Sequence, residues 1–344
     1  MAKLRDGLLL GCGNPLLDIS AIVDEKFLAK YDMLPNNAIL AEEKHMPIYK
    51  ELIENFNAEF IAGGSVQNSF RVAQWILQRP NVFVFFGCVG KDRYSEILSQ
   101  KAISDGVNVQ YQFCADTPTG TCAVLVTNTQ RSLCANLAAA NNFTVEHLKT
   151  SSSESFLQNA DYFYISGFFL TVSIESILTV ARQALSRNRP FMMNLSAPFI
   201  PQFFKDNLDQ ALPYVDILFG NETEALAFAE QQKLGTEDLK QIGLKISNLP
   251  KLNAERPRIV IITQGSDPVL LIQEGKVTEF PVDKLERGQI VDTNGAGDAF
   301  VGGFLAQLVQ ERNYATCIKC GIWTARQIIQ RSGCTFEGVP DFKV

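Results

Sequence analysis

Short runs of nearly unbroken apolar residues recur along this 344-residue chain, with helix-length segments between them, and no other feature narrows the possible folds as far. LLLGC (8–12), VFVFFGCV (82–89), YFYIS (162–166), FMMNL (191–195), VDILFG (215–220) and IVIIT (259–263) are of strand length and apolar at successive positions. A strand with one wet face alternates; a strand covered on both faces need not, and it belongs to a parallel sheet flanked by helices. Helix-period patterns fill 66–79, 93–104, 173–187, 222–232, 236–247, 296–311 and 314–331. This alternation predicts an α/β fold with a doubly wound, mostly parallel central sheet between helix layers. Hydrophobic residues at 46% supply the core, and charged residues at 20% argue against disorder.

Two stretches break the alternation. Residues 15–62 follow the first strand with mixed polar and apolar sequence and no clear crossover helix before Ser65. Residues 119–137 read as a hairpin: TGTCAVLV, a polar turn at Thr127 to Gln130, then RSLCANL. Together they predict a small sheet apart from the main one. The pattern alone leaves a lid and a sheet extension equally open.

Net charge is −6 and no Lys/Arg run builds a basic stripe, so neither nucleic acid nor an anionic membrane is an expected partner. The apolar run in MAKLRDGLLL is too short for a secretory signal, and no stretch nears the ~20 apolar residues of a membrane span. A soluble cytoplasmic protein is expected, with the nucleus also open to it. Cys12, Cys88, Cys114, Cys122 and Cys134 lie in or beside strand-like runs, as reduced, buried cysteines do. Cys317 and Cys320 form a C-x-x-C pair inside a helical pattern with no second pair, which favours helix packing over zinc or redox chemistry.

DTNGAGDAF (292–300) puts Gly295, Gly297 and Asp298 at the start of a predicted helix. Unpaired N–H groups and the positive end of the dipole suit an anion there, and glycines let it approach the backbone. A carboxylate beside an anion repels it, but makes sense as a base for a hydroxyl attacking phosphorus. A glycine-rich turn with Asp298 as a cap explains the spacing equally well. GCGNPLLD (11–18) fails the dinucleotide fingerprint because position 16 is leucine. It leaves Asn14 and Asp18 on the turn after the first strand, where a carboxylate can accept from two sugar hydroxyls or cap a local turn. In AGGSVQNS (62–69), Gly63 and Gly64 allow close approach, Ser65 is the expected N-cap and Asn68 sits one turn in. FGCVGKD (86–92) lacks the spacing of a P-loop. NETE (221–224) places Glu224 one turn into a helix, as a partner of Mg²⁺ through water or as part of an Asn-capped start. TQGSDP (263–268) is a polar turn after a buried strand, a nucleotide contact or a plain hairpin turn.

These blocks, with the wider IVDTNGAGDAFVGGFLAQLV (290–309), GFFLTVS, NLSAPF, DILFGNETEA and GCTFEGVPDF in this order, resemble the ribokinase-like family of carbohydrate and nucleoside kinases from residue 11 to the C-terminus. The resemblance implies a large α/β nucleotide-binding domain of residues 1–14, 64–117 and 138–344, and a small β-rich lid of 15–63 and 118–137. It implies ATP as donor with Mg²⁺, and a monomer that phosphorylates the 5′-hydroxyl of adenosine to give AMP. Asp298 inherits the role of base, the amides of Gly295, Ala296 and Gly297 that of phosphoryl cradle, and Arg131 that of neutralising developing charge. Asn14, Asp18, Gly64, Ser65, Asn68 and Asn294 fall to the acceptor, chiefly its ribose. Leu40, Cys122, Leu133, Ala135, Phe168 and Phe199 line the purine pocket, with stacking on Phe168. Asn221, Glu224, Thr263 and Gly265 fall along ATP, Glu224 reaching the metal through water. An apolar hairpin face favours a base over a second sugar. The competing readings are a kinase for another nucleoside or a sugar, and a catalytically silent nucleoside-binding protein; the presence of Asp298, both glycines and Arg131 weighs against the silent form.

Overall fold

A computed structural model describes residues 3–35, 37–127 and 130–343. Its strands are β1 (Leu9–Cys12), β2 (Leu16–Ile22), β3 (Ala38–Leu40), β4 (Glu59–Gly63), β5 (Phe83–Gly90), β6 (Asn108–Cys114) and β7 (Thr121–Thr127). They continue as β8 (Gln130–Asn136), β9 (Tyr162–Ser166), β10 (Phe191–Asn194), β11 (Ile217–Asn221), β12 (Ile259–Gln264), β13 (Asp267–Gln273) and β14 (Lys276–Phe280). The central sheet runs β14-β13-β12-β11-β10-β9-β1-β5-β6, parallel from β12 to β6 with an antiparallel pair at one edge. All six apolar runs lie in its parallel part. Successive residues feed opposite faces. Leu10, Val84, Phe86, Phe163, Ile165 and Met193 enter one core, whereas Leu9, Phe83, Phe85, Tyr164 and Met192 enter the other. Burial on both faces is why these strands read as continuous hydrophobics. β6 escaped the sequence pattern because it is an edge strand with half-buried residues along most of its length.

Around β1 the connections lead outward on either side, to β5 and to β9. Such a reversal opens a crevice at the carboxyl ends of the strands, where open α/β sheets take ligands. The helices Ser65–Leu77 and Ala296–Leu308 pack against each other on one face of this sheet, which brings their N-termini to that crevice.

The second sheet runs β3-β8-β7-β2-β4. Asp18 lies within β2 rather than on a turn, because the chain leaves β1 and enters the second sheet almost at once. Thr127 pairs with Gln130, so β7 and β8 form the expected hairpin; its turn residues Asn128 and Thr129 lie outside the described residues. Residues 15–62 contain helices Glu25–Lys30 and Pro47–Asn55, which cover the back of this sheet instead of crossing over. Ile19, Ala21, Ala123, Leu125 and Cys134 form that covered face. Cys317 and Cys320 are buried in a helix, as helix packing requires. No described helix is long and apolar enough to cross a membrane.

Candidate active site

The helix Ala296–Leu308 begins at Gly295, whose φ of 77° is left-handed, and no side chain caps its first turn. A Cβ on Gly295 would stand 3.0 Å from Cβ of Cys334, while Gly297 is exposed with nothing within 4 Å of such an atom. The start of the helix is therefore open toward solvent at Gly297. The Ala296 N–H reaches back to the Thr293 carbonyl at 3.3 Å, and Asn294 donates its N–H to Oδ1 of Asp292.

Asp298 stands in the first turn, half-buried. Its Oδ1 accepts from the Ser65 hydroxyl at 2.6 Å and its Oδ2 from the Asn68 amide at 3.1 Å. Burial raises its pKa to about 6, against the opposing pull of those two hydrogen bonds. The expected N-cap role of Ser65 is not what forms. Gly64, with φ 93°, precedes the helix without a side-chain cap, and Ser65 is the first helical residue with its hydroxyl turned to Asp298. Gly64 has no freedom to be anything else, since a Cβ would stand 2.1 Å from the Asn14 carbonyl oxygen. Asn14 is itself buried, and its side-chain Oδ1 has no hydrogen-bond partner.

Strand register collects most of the remaining residues. Asp18 pairs with Cys122, Cys122 with Ala135, and Ala135 with Leu40, one row across four strands of the second sheet. Leu133 and Arg131 follow on the same face of β8, since alternate residues share a face. This is the face opposite the helix-covered one. Burial pushes the Asp18 carboxyl up to about 7; Arg71 and Arg131 pull it back, Asp298 and Asp292 push it further. Asp18 packs against Gly63, where a Cβ would stand 2.3 Å from its Oδ1, directly before the Gly64–Asn68 segment that reaches Asp298.

Arg131 is deeply buried. Its Nε faces Oδ2 of Asp292 at 3.2 Å and its NH2 group donates to the Ser332 hydroxyl. Burial lowers its pKa, with Asp292 and Asp18 opposing.

Asn221 and Glu224 form a reciprocal capping box at the start of the helix Glu222–Gln231. Glu224 takes the Asn221 N–H on Oε2 and the Asn221 amide on Oε1, both at 2.9 Å, and burial raises its pKa to about 7. Thr263 is the register partner of Asn221 on β12, so these two stand side by side. Gly265, at φ 56°, turns the chain from β12 into antiparallel β13 and is a hairpin residue.

Phe168 lies on the short helix Gly167–Thr171 after β9, and Phe199 opens the helix Phe199–Phe203 after β10. Their rings are 6.0 Å apart and both are half-buried, whereas Phe169 is wholly in the core. A cleft of about 650 Å³ lies elsewhere, lined by Tyr162, Ile217 and Ile259 at the starts of β9, β11 and β12, the sheet edge opposite Asp298.

Arg71 and Asp292 had no role assigned from sequence. Arg71 is three residues beyond Asn68, on the same helix face, which is a legible signal; its partner Asp105 carries none.

The pfkB family carbohydrate kinase model matches residues 25–341. Adenosine kinase 2 of Arabidopsis thaliana is 53% identical, over 98% of both chains. The solved structure of Anopheles gambiae adenosine kinase in complex with P1,P4-di(adenosine-5) tetraphosphate is 69% identical with a TM-score of 0.94, covering 98% of this chain and all of that one. Schistosoma mansoni adenosine kinase in complex with 2-fluoroadenosine is 34% identical with a TM-score of 0.91, covering 98% and 99%.

Proposed function

The chain belongs to the pfkB family of carbohydrate kinases, among its adenosine kinases, and from that premise we propose that it transfers the γ-phosphoryl group of ATP to the 5′-hydroxyl of adenosine. The observation that carries this is a carboxylate, Asp298, in the first turn of an uncapped helix, held on both oxygens by the start of a second helix. The helix start suits the transferring phosphate, and the carboxylate suits the hydroxyl.

In this reading Asp18, with the orphaned oxygen of Asn14 and the Gly64–Asn68 segment, binds the ribose. The row Cys122, Ala135 and Leu40, with Leu133, faces the purine, and Phe168 stacks on it beside Phe199. The hydroxyl oxygen bonds to phosphorus, its proton passes to Asp298 and ADP leaves. The transition state is loose, so proton transfer comes late and positioning dominates. Arg131 and the amides of Gly295, Ala296 and Gly297 oppose the developing charge, with Asn294 beside them. Thr263, Gly265 and Asn221 lie along ATP. Residues 15–63 and 118–137 act as a lid that excludes water.

Among the described residues no group of three or more His, Cys, Asp or Glu side chains can hold a metal. Mg²⁺ dehydrates reluctantly and is usually held by one or two carboxylates together with substrate phosphates, and Glu224 is a buried carboxylate at a helix start. Glu224 would hold the ion's waters; the ion supplies charge neutralisation on the phosphates. The protein is further proposed to be a cytoplasmic monomer, which sedimentation and cell fractionation test.

Product formation with Mg·ATP across adenosine, inosine, guanosine, cytidine, ribose and fructose tests the reading. Strong conversion of adenosine to AMP with little from the sugars is expected. Preference for a sugar would make it a carbohydrate kinase, and binding without turnover would make it a silent nucleoside-binding protein.

A further inference from the structure

Arg71 is almost wholly buried, its side chain 6% exposed, in the middle of the helix Ser65–Leu77. Its guanidinium makes four hydrogen bonds. Nε donates to Oδ2 of Asp105 at 2.6 Å; NH1 donates to the Ala62 carbonyl at 2.7 Å, to Oδ1 of Asn68 at 3.2 Å and to the Cys334 carbonyl at 3.2 Å. The Phe336 ring lies 5.6 Å from the guanidinium carbon.

Each partner leads to a different part of the centre. Asn68 has one accepting and one donating end. With the accepting end on Arg71, the donating end is the one that meets Asp298. A reversed amide would set NH₂ against a guanidinium and C=O against a carboxylate, so Arg71 fixes the orientation of Asn68. Ala62 directly precedes the Gly63–Gly64 pair that joins the second sheet to the helix. Cys334 is the residue packed against the position of the missing Gly295 Cβ. One side chain, fastened by Asp105, thus ties both glycine motifs and the intervening amide into a rigid body.

We propose that Arg71 is a positioning residue for the phosphoryl transfer, orienting Asn68 on Asp298 and keeping the two glycine motifs in register; this rests on the kinase reading above. Its charge has a second effect. Asp18 packs against Gly63, where a Cβ would stand 2.3 Å from its Oδ1, next to the Ala62 carbonyl that Arg71 holds, and it pairs with Cys122 of β7. The charged and titratable groups acting on it are Arg71 from the helix, Asp298, Asp292 and Cys334 from the C-terminal segment, and Arg131 from β8. Arg71 is foremost among the charges that keep Asp18 ionised.

The two effects separate with Arg71→Lys and Arg71→Met. Lysine keeps the charge without the planar fork; methionine keeps only bulk. Both should lower kcat per active site by roughly tenfold to a hundredfold, the scale of a small misplacement of reacting groups. Only Arg71→Met should also move the acidic limb of kcat/KM to higher pH and weaken adenosine binding more at pH 6 than at pH 8. Active-site titration and circular dichroism set the folded fraction. A folded variant with wild-type kcat per site overturns the positioning role, and so does a loss explained wholly by fewer active molecules. If Arg71→Met does not fold, Arg71→Lys alone decides the kcat effect. If wild-type protein phosphorylates no acceptor, the kinase reading fails instead. The pH dependence of adenosine binding, read by calorimetry in wild type and variants, then shows separately whether Arg71 governs Asp18.

Discussion

The hydroxyl of Ser65 donates to Oδ1 of Asp298 at 2.6 Å, joining two helix starts that are 233 residues apart in the chain. Ser65 belongs to the segment leaving the second sheet, Asp298 to the C-terminal glycine motif. One hydrogen bond thus links the strand-to-helix junction after the second sheet to the carboxylate.

Asp298→Asn should lower kcat by roughly 10²–10⁴-fold, the range for losing a general base, while adenosine still binds. The same change should stabilise the fold. A carboxylate with a raised native pKa binds more protons folded than unfolded, so its contribution to stability falls as pH rises from its ordinary value to about 6. The amide removes that cost, and thermal melts at pH 7.5 should show a midpoint raised by a few degrees.

The pH profile of kcat/KM reports free-enzyme groups. The proposed mechanism needs Asp18, at about 7, and Asp298, at about 6, both ionised, so the rate should fall below pH 7 and more steeply below pH 6. Ser65→Ala removes a hydrogen bond that lowers the Asp298 value. Its lower limb should move to higher pH; an unmoved limb would separate Asp298 from the ionisation that controls the rate.

Arg131 and Asp292 form a buried ion pair, with side chains 4% and 1% exposed. Arg131→Met should cost about 3–5 kcal/mol, because Asp292 is left charged and unpaired. Arg131→Met combined with Asp292→Asn should recover much of that loss in urea unfolding without recovering kcat. Recovery of both would reduce Arg131 to a structural residue.

Glu224→Gln keeps an acceptor for the Asn221 N–H but sets its own NH₂ against the Asn221 side-chain NH₂, so a stability cost of about 1 kcal/mol, that of a lost cap, is expected. Removing the negative charge should raise the Mg²⁺ concentration for half-maximal rate and the KM for ATP, leaving KM for adenosine unchanged. Titrations of Mg²⁺ at fixed ATP check this.

Much of the fold was legible because burial on two faces leaves a local mark: each apolar run of the parallel sheet reads as a strand without reference to its neighbours. β6 was not legible, since an edge strand buries less and carries a weaker pattern. The motif residues were legible as well, through glycines beside Asp298 and Asn68, but their local roles were not. Ser65 has the composition of an N-cap, and only contact with Asp298 redirects its hydroxyl. Arg131 reads in the sequence only as the start of the second hairpin strand, and its burial follows from Asp292, which arrives from 161 residues downstream to meet it. Glu224 was ambiguous between a metal partner and a cap, and the structure supplies the cap geometry directly.

What the sequence determined by itself is local: which segments are strands and helices, where the backbone must bend at glycine, and which chemical groups stand at helix starts. Periodicity and backbone sterics act over a few residues, so they can be read along the chain. What only the tertiary structure decided is which groups meet. Strand register put Asp18, Cys122, Ala135 and Leu40 in one row. Packing of two helices set Ser65 and Asn68 on Asp298. Burial then raised the carboxylates toward neutrality. Proximity and desolvation arise from contacts between distant segments, and no local pattern carries them.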